Sequence, residues 1–344
     1  MTTAHVPASR RRPRTILAME APVRDALFDQ EAYARLAEVA DADPSLVVRD
    51  FADPAHTARL AGAEVLFSGW GCPQLTAAAL DRMPELRAVV HAAGSVKHHI
   101  TDACWERGIV VSSAAGVNAL PVAEYTVSAI LFAGKRVLPA AAAYRTKRAW
   151  ISPIDVIGTG GNFRRTVGVV GASRIGRRVI ELLRPFDLRV LVHDPYLDPA
   201  EARALGAEPV SLDTLALSSD VVTVHAPELP ETRHLFDRAR LALLRDGATL
   251  VNTARGSLVD TDALTDELVA GRLQAVLDVT DPEILPADSP LFDLENCLLT
   301  PHIAGSLGNE LGRMTHHALD ELERYAAGLP FADPVRAEAL AHSA

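Results

Sequence analysis

The chain has 344 residues, 49% hydrophobic, 23% charged and 5% aromatic, which is enough for two globular domains, each with its own core. Its formal net charge of −10 argues against a nucleic-acid surface as its main business. The three cysteines, Cys72, Cys104 and Cys297, are odd in number and far apart, with no metal-ligand spacing and no C-x-x-C; reduced thiols, no metal and a cytoplasmic location are expected.

A basic tail, "SRRRPR" (Ser9 to Arg14), leads into "TILAM" (15–19). Five apolar residues before Glu20 are too few for a signal core, so the stretch reads as a solvated tail entering a first strand. No run approaches the roughly 18 apolar residues of a membrane span, and no membrane partner is expected. Strands are predicted at 15–19, 64–69, 88–93 and 109–113, with helical patterns at 31–40 and 75–83. This β-α-β rhythm implies a parallel sheet covered by helices. Residues 121–137 read as one long helix, with Asn118 as its cap and Pro121 in its first turn. A polar, glycine-rich loop follows and ends in "IGTGGNFRRT" (157–166).

A second β-α-β series then begins. Its strands are predicted at 167–170, 189–193, 209–210, 221–225, 249–252, 275–278 and 298–300, with a helix over 174–186 after the first of them. Beyond residue 305, Leu307, Leu311, Met314, Ala318 and Leu322 recur at helical spacing, the pattern of a core or interface helix.

In an open parallel sheet, ligands bind at the carboxyl ends of the strands. Strand ends of the second series place Gly171, Ser173 and Gly176, then Asp194, His225 with Ala226 and Pro227, Arg255, Asp278 with Glu283, and finally His302 on one edge. Any one of these has an ordinary explanation as a loop or surface residue; their convergence does not. The strand–Gly–helix turn offers free backbone N–H groups and a positive helix end to a pyrophosphate. Ser173 stands where the G-x-G-x-x-G fingerprint has its middle glycine, and being small it is expected to be tolerated. Asp194, 18 residues past Gly176, suits the ribose hydroxyls and would repel a 2′-phosphate, so NAD is expected over NADP. Reduction of a 2-keto acid also needs a cation that bonds the carboxylate in two places, which Arg255 can do. It needs a proton donor titrating near neutrality, which His302 supplies, and a carboxylate to orient the imidazolium, for which Glu283 fits.

Together "NALPVAEYTVSAILF", "TVGVVGASRIG", "VHAPELPETRHLF", "LVNTARGSLVDTDAL", "AVLDVTDPE" and "LLTPHIAGS" resemble the D-isomer-specific 2-hydroxyacid dehydrogenase family, most clearly over residues 60 to 315. The resemblance implies an NAD-dependent D-2-hydroxyacid dehydrogenase, or 2-keto acid reductase, with Arg255 as substrate clamp, Glu283 as partner of the histidine and His302 as acid and base. It implies an α/β fold of two doubly wound parallel-sheet domains: a Rossmann NAD-binding domain (118–308) inserted into a flavodoxin-like substrate domain (1–117 and 309–344), the active site in the cleft between them. The cofactor-contacting set is then Gly171, Ser173, Arg174, Ile175, Gly176, Asp194, His225, Ala226, Pro227, Thr253, Ala254 and Asp278, the last of these holding the nicotinamide amide. A homodimer paired through the cofactor domains is implied as well. The chain ends soon after the returning helix, so no regulatory domain is expected beyond it.

Three departures stand out. Ser173 is the first, and Tyr125, where many members have histidine, is the second. The third is "AAGSVKHH" (92–99), where many members carry a G-x-G-x-D run whose amides bind the substrate carboxylate. Here Gly94 and Ser95 still offer N–H groups, while Lys97 replaces an acid and either favours a more anionic substrate or is a surface lysine without a role. Trp70, in "SGWG", lines the pocket or covers core. The rival reading is an NAD(H)-sensing, corepressor-like scaffold of the same fold with weak or no catalysis. Formate oxidation is disfavoured, because formate-oxidising relatives carry glutamine at the position of Glu283.

Overall fold

Runs of four or five apolar residues become strands here because helices cover both faces of each sheet, so every side chain along a strand can be buried. The computed structural model describes residues 11–340. Ser9 and Arg10 of the basic tail therefore lie outside the described residues. The residues up to Asn118 with those from Ser306 onward form one compact unit, and Ala119–Gly305 form a second, inserted into the first along the chain.

In the first unit, β1 (Arg14–Ala18), β2 (Asp41–Val47), β3 (Val65–Ser68), β4 (Ala88–His91) and β5 (Val110–Ser113) are all parallel, in the order 2-1-3-4-5. This is the flavodoxin-like winding, with its switch point between β1 and β3. The four strands expected from the sequence appear within one or two residues. β2 is an addition: "DADPSLV" is too polar to read as a strand, but at the sheet edge it tolerates its proline, and its register slips between Thr15 and Leu17.

In the second unit, β6 (Thr166–Val170), β7 (Arg189–His193), β8 (Glu208–Pro209), β9 (Val221–Val224), β10 (Thr249–Asn252), β11 (Gln274–Leu277) and β12 (Cys297–Leu299) form a seven-stranded parallel sheet, in the order 12-11-10-9-6-7-8. Neighbouring residues feed opposite layers. Val221 belongs to the cluster with Val167, Val179 and Ile180, and Val222 to the one with Leu215, Leu250 and Leu264. The chain then returns to the first unit, where β13 (Pro334–Val335) pairs antiparallel with β5 at the edge.

The helices depart more from expectation. Ala115–Gly134 is one helix that starts six residues ahead of Pro121, so Pro121 is internal and leaves one helical hydrogen bond unmade. Asn118 is not its cap; its side-chain oxygen instead accepts the Ser306 amide at 2.8 Å. By length and composition this helix could cross a membrane. Here Val117 packs with Ala93, Ala114 and Met314 in the first unit, while Ala123, Val127 and Ile130 enter the core of the second. The segment expected to be loop after it holds two more helices, Val137–Lys147 and Pro153–Ile157. The terminal helix, Leu311–Ala326, buries Leu311, Met314, Ala318 and Leu322 as their spacing predicts, whereas Leu307 lies before it and is exposed. Glu321, on that helix, buries a carboxylate that accepts the amides of Ala332 and Asp333 at 2.9 and 2.7 Å, tying down the return to β13.

Candidate active site

The sheet of the second unit switches direction between β6 and β9, and the carboxyl ends of those strands face a glycine-rich turn. Gly171 has φ +93°, and a side chain there would meet the backbone of His225 and Ala226 at 2.6–2.8 Å. At Gly176 an added Cβ would lie 2.0 Å from the Gly171 carbonyl oxygen. The two glycines thus let the helix Arg174–Leu183 start directly against the strand end. Ser173 is the N-cap of that helix, extended at φ −61°, and its hydroxyl accepts the Gly176 amide at 3.3 Å. The amides of Ser173, Arg174 and Ile175 have no backbone or side-chain acceptor among the described residues, as the start of a helix dictates.

Asp194 caps β7. One of its oxygens accepts the Ala172 amide at 2.6 Å and the other the Tyr196 amide at 2.8 Å, so the carboxylate is anchored to the turn and keeps lone pairs for a hydroxyl pair. His225 follows β9 with its imidazole buried, Nε2 on Thr223 at 2.9 Å and Nδ1 without a partner among the described residues. Burial pushes its pKa down to about 3, so the ring is neutral. Ala226 is buried beside it and Pro227 half-buried, so this turn presents mainly backbone.

After β10 the chain turns through Thr253, Ala254 and Arg255. Asn252 pins this turn: its amide nitrogen donates to the Arg255 carbonyl at 2.8 Å and its oxygen accepts the Ala254 amide at 3.1 Å. Arg255 is half-buried and its guanidinium donates to the Ala254 carbonyl at 2.6 Å. Thr253 is buried, 2.9 Å from Thr126, whose own proton goes to the Val122 carbonyl; Thr253 is therefore the donor. Next to Arg255, Gly256 lies so close to Thr280 that a Cβ would fall 1.9 Å from its carbonyl carbon, which brings the turn after β10 against the turn after β11.

That second turn carries Asp278 and Glu283. The Asp278 carboxylate is buried and accepts the amides of Ile303 and Ala304, each at 2.8 Å, and the hydroxyl of Thr300 at 2.6 Å. Its backbone carbonyl accepts the His302 amide at 2.9 Å. His302 itself has φ +55°, in the left-handed region, and its Nδ1 is 2.6 Å from Oε1 of Glu283, both side chains being half-exposed. The loops after β10, β11 and β12 thus present a guanidinium, a carboxylate and an imidazole whose Nε2 is free of the carboxylate.

In the first unit, Gly94 and Ser95 follow β4 and are half-buried. An added Cβ on Gly94 would lie 3.5 Å from the Asn118 amide nitrogen, and the Ser95 hydroxyl accepts the Lys97 amide at 3.4 Å. Lys97 is exposed, and Trp70, after β3, is 40% exposed. Beneath this edge Ser68 contacts His91 at 2.9 Å and His99 at 3.4 Å, both imidazoles buried. Burial also pushes the Cys72 and Cys297 thiols up to about 12, which favours their protonated form.

Sequence reasoning passed over Asn252, Thr126 and Thr300. Asn252 sits in the quoted "LVNTARGS" run, and an amide at a strand end just before a candidate arginine is a signal that could have found it. Thr300 and Thr126 act through partners far along the chain and carry no local signal.

Residues 127–304 match the family model for the NAD-binding domain of D-isomer-specific 2-hydroxyacid dehydrogenases. A D-3-phosphoglycerate dehydrogenase of Mycobacterium tuberculosis is 36% identical over 254 residues, covering 72% of this chain and 47% of that protein. The chain thus spans about half the length of several curated relatives it matches. A glyoxylate reductase of Aeropyrum pernix is 34% identical over 257 residues, covering 72% of this chain and 76% of that protein. A crystal structure of a Thermus thermophilus protein superposes with a TM-score of 0.75 at 33% identity, covering 94% of this chain and all of that one. The residues present fit a nicotinamide dinucleotide: Gly171 and Gly176 let the helix start directly against the strand end, and the amides of Ser173, Arg174 and Ile175 at that turn lack acceptors among the described residues.

Proposed function

The chain belongs to the D-isomer-specific 2-hydroxyacid dehydrogenase family, and on that premise we propose that it transfers a hydride between NAD(H) and a small D-2-hydroxy acid or its 2-keto form. The observation that carries this reading is the His302–Glu283 pair at 2.6 Å, on the same sheet edge as Arg255 and the glycine turn.

A nicotinamide dinucleotide held by that turn would supply the hydride, or accept it in the reverse direction. The amides of Ser173, Arg174 and Ile175 hold the pyrophosphate, Asp194 takes the ribose hydroxyls and disfavours a 2′-phosphate, and the backbone of 225–227, Thr253 and Ala254 completes the seat. Arg255 clamps the substrate carboxylate in two places, and the first unit, with the amides of Gly94 and Ser95 after β4, acts as the substrate domain. His302 gives a proton from Nε2 to the carbonyl oxygen as charge builds there, and Glu283 on Nδ1 stabilises the imidazolium before the transfer. Run backwards, neutral His302 takes the hydroxyl proton. The substrate fits a keto acid small enough to be held chiefly by its carboxylate, and the assembly is a homodimer.

The test is NADH oxidation against glyoxylate, hydroxypyruvate, pyruvate, 2-oxobutyrate, phenylpyruvate and phosphohydroxypyruvate, with NADPH run in parallel. Turnover of one member with NADH preferred is expected. NADH binding without turnover of any member would sink the enzymatic reading, and equal use of NADPH would remove Asp194 as the selector.

A further inference from the structure

The helix Ala115–Gly134 reaches the histidine loop through a chain of side chains that the proposed mechanism does not use. The Tyr125 hydroxyl is 2.9 Å from Thr300 Oγ1, and Thr300 Oγ1 is 2.6 Å from Asp278 Oδ1. A threonine hydroxyl has one proton, and a carboxylate can only accept. The Thr300 proton is therefore committed to Asp278, and Tyr125 must be the donor to Thr300. Burial raises the Tyr125 pKa, partly opposed by the Thr300 bond and helped by the Asp278 charge, which keeps the phenol protonated for that role.

What the chain ends on is the frame of His302. Three consecutive amides, those of 302, 303 and 304, all donate to Asp278: the first to its carbonyl, the others to its carboxylate. His302 sits at φ +55°, a conformation that a non-glycine residue keeps only where its surroundings over-determine it. Asp278 supplies that determination, and the direction of its carboxylate is shared with Thr300. Hydrogen bonds in such a series polarise one another, so a donor at the far end strengthens the bond at the near end.

We propose that Tyr125 is a positioning residue for His302, acting through Thr300 and Asp278 to hold the histidine loop in register with Glu283. This rests on the reading of His302 as acid and base. It assigns a role to Tyr125: the phenol donates where the relay requires a donor.

The experiment is a set of double-mutant cycles on the full chain, with kcat, KM and Tm measured for each variant. Tyr125→Phe is expected to lower kcat about 3- to 10-fold, the range for losing one neutral hydrogen bond, with KM within about two-fold. Thr300→Val is expected to lower kcat by roughly 10-fold or more, since the lost bond is to a charged group. Thr300→Ser, which keeps the hydroxyl, stays within about three-fold of wild type by the same reasoning. In a His302→Ala background the Tyr125 and Thr300 substitutions cost nothing further, because the group they position is gone. The same loss in both backgrounds, or a loss that follows Tm, would mean a structural role and would overturn the proposal. So would unchanged kcat in Tyr125→Phe. If His302→Ala is as active as wild type, the reading of His302 has failed and the relay falls with it, a result distinct from a silent Tyr125.

Discussion

At the scale of single residues, the histidine and its carboxylate are half-exposed and stand outside the packed core, so changing them is a test of chemistry and not of folding. His302→Ala is expected to lower turnover at least about 10²-fold, the lower range for a general acid–base group, with Tm essentially unchanged. Full activity in that variant would remove His302 from the mechanism. Glu283→Gln keeps a hydrogen-bond acceptor but loses the charge that favours the imidazolium. Because the pair is open to solvent, which screens it, a loss of roughly 3- to 10-fold in kcat is expected. A carboxylate that mattered only as a surface charge would leave the steady-state rate untouched.

The glycine turn is a property of an element, since a strand end, a cap and the first turn of a helix must agree. Ser173 occupies an extended backbone position that any residue can adopt, so the missing middle glycine costs no strain. Its hydroxyl caps the helix instead. Ser173→Gly is therefore expected to leave NADH affinity within a few-fold and stability within a few tenths of a kcal/mol, while Ser173→Ala costs about 1 kcal/mol. Fluorescence titration with NADH and a thermal melt check both; a large gain in affinity on Ser173→Gly would show the natural turn to be impaired. Gly176 is the opposite case. A methyl group there collides with the Gly171 carbonyl, a backbone atom that cannot step aside without moving the strand end. Gly176→Ala is expected to abolish measurable NADH binding and to lower stability by about 1–3 kcal/mol, the usual cost of overpacking. Near-normal binding would mean that the helix does not start as close to the strand as described.

Over the whole molecule, neutral imidazoles are sealed into both units. Burial pushes His225 down to about 3 and His99 to about 4, and His91 well below its ordinary value, with the neighbouring His99 and His98 adding to the effect on His91. The unfolded chain binds these protons near pH 6.5 and the folded chain does not. Below that pH the unfolded state holds more protons, so stability must fall with acidification and level off above it. Urea unfolding followed from pH 8 to 5 is expected to give a plateau above about pH 7 and a clear decline toward pH 5, before carboxylates with reference values near 4 begin to titrate. A flat profile over that window would mean that the imidazoles are hydrated in the native state.

The alternation of apolar strand and amphipathic helix is a local property, so the sequence alone determined the parallel-sheet α/β class and, β2 and β13 apart, the strands of both sheets to within a residue or two. The same locality put Gly171, Asp194, His225, Arg255, Asp278 and His302 just past strand ends, where a parallel sheet collects ligand-binding groups. Tertiary structure decided what depends on partners far along the chain. "DADPSLV" became a strand because a sheet edge was open to it, and Asn118 was drawn from its expected capping role to the Ser306 amide. Thr300 came to lie between Tyr125 and Asp278. Hydrogen bonds of that kind join residues 22 and 175 positions apart, and no pattern of neighbours along the chain encodes them. The strands follow from what each residue can bury; the conformation of the His302 loop follows from which distant groups are left needing a donor or an acceptor once the strands have paired.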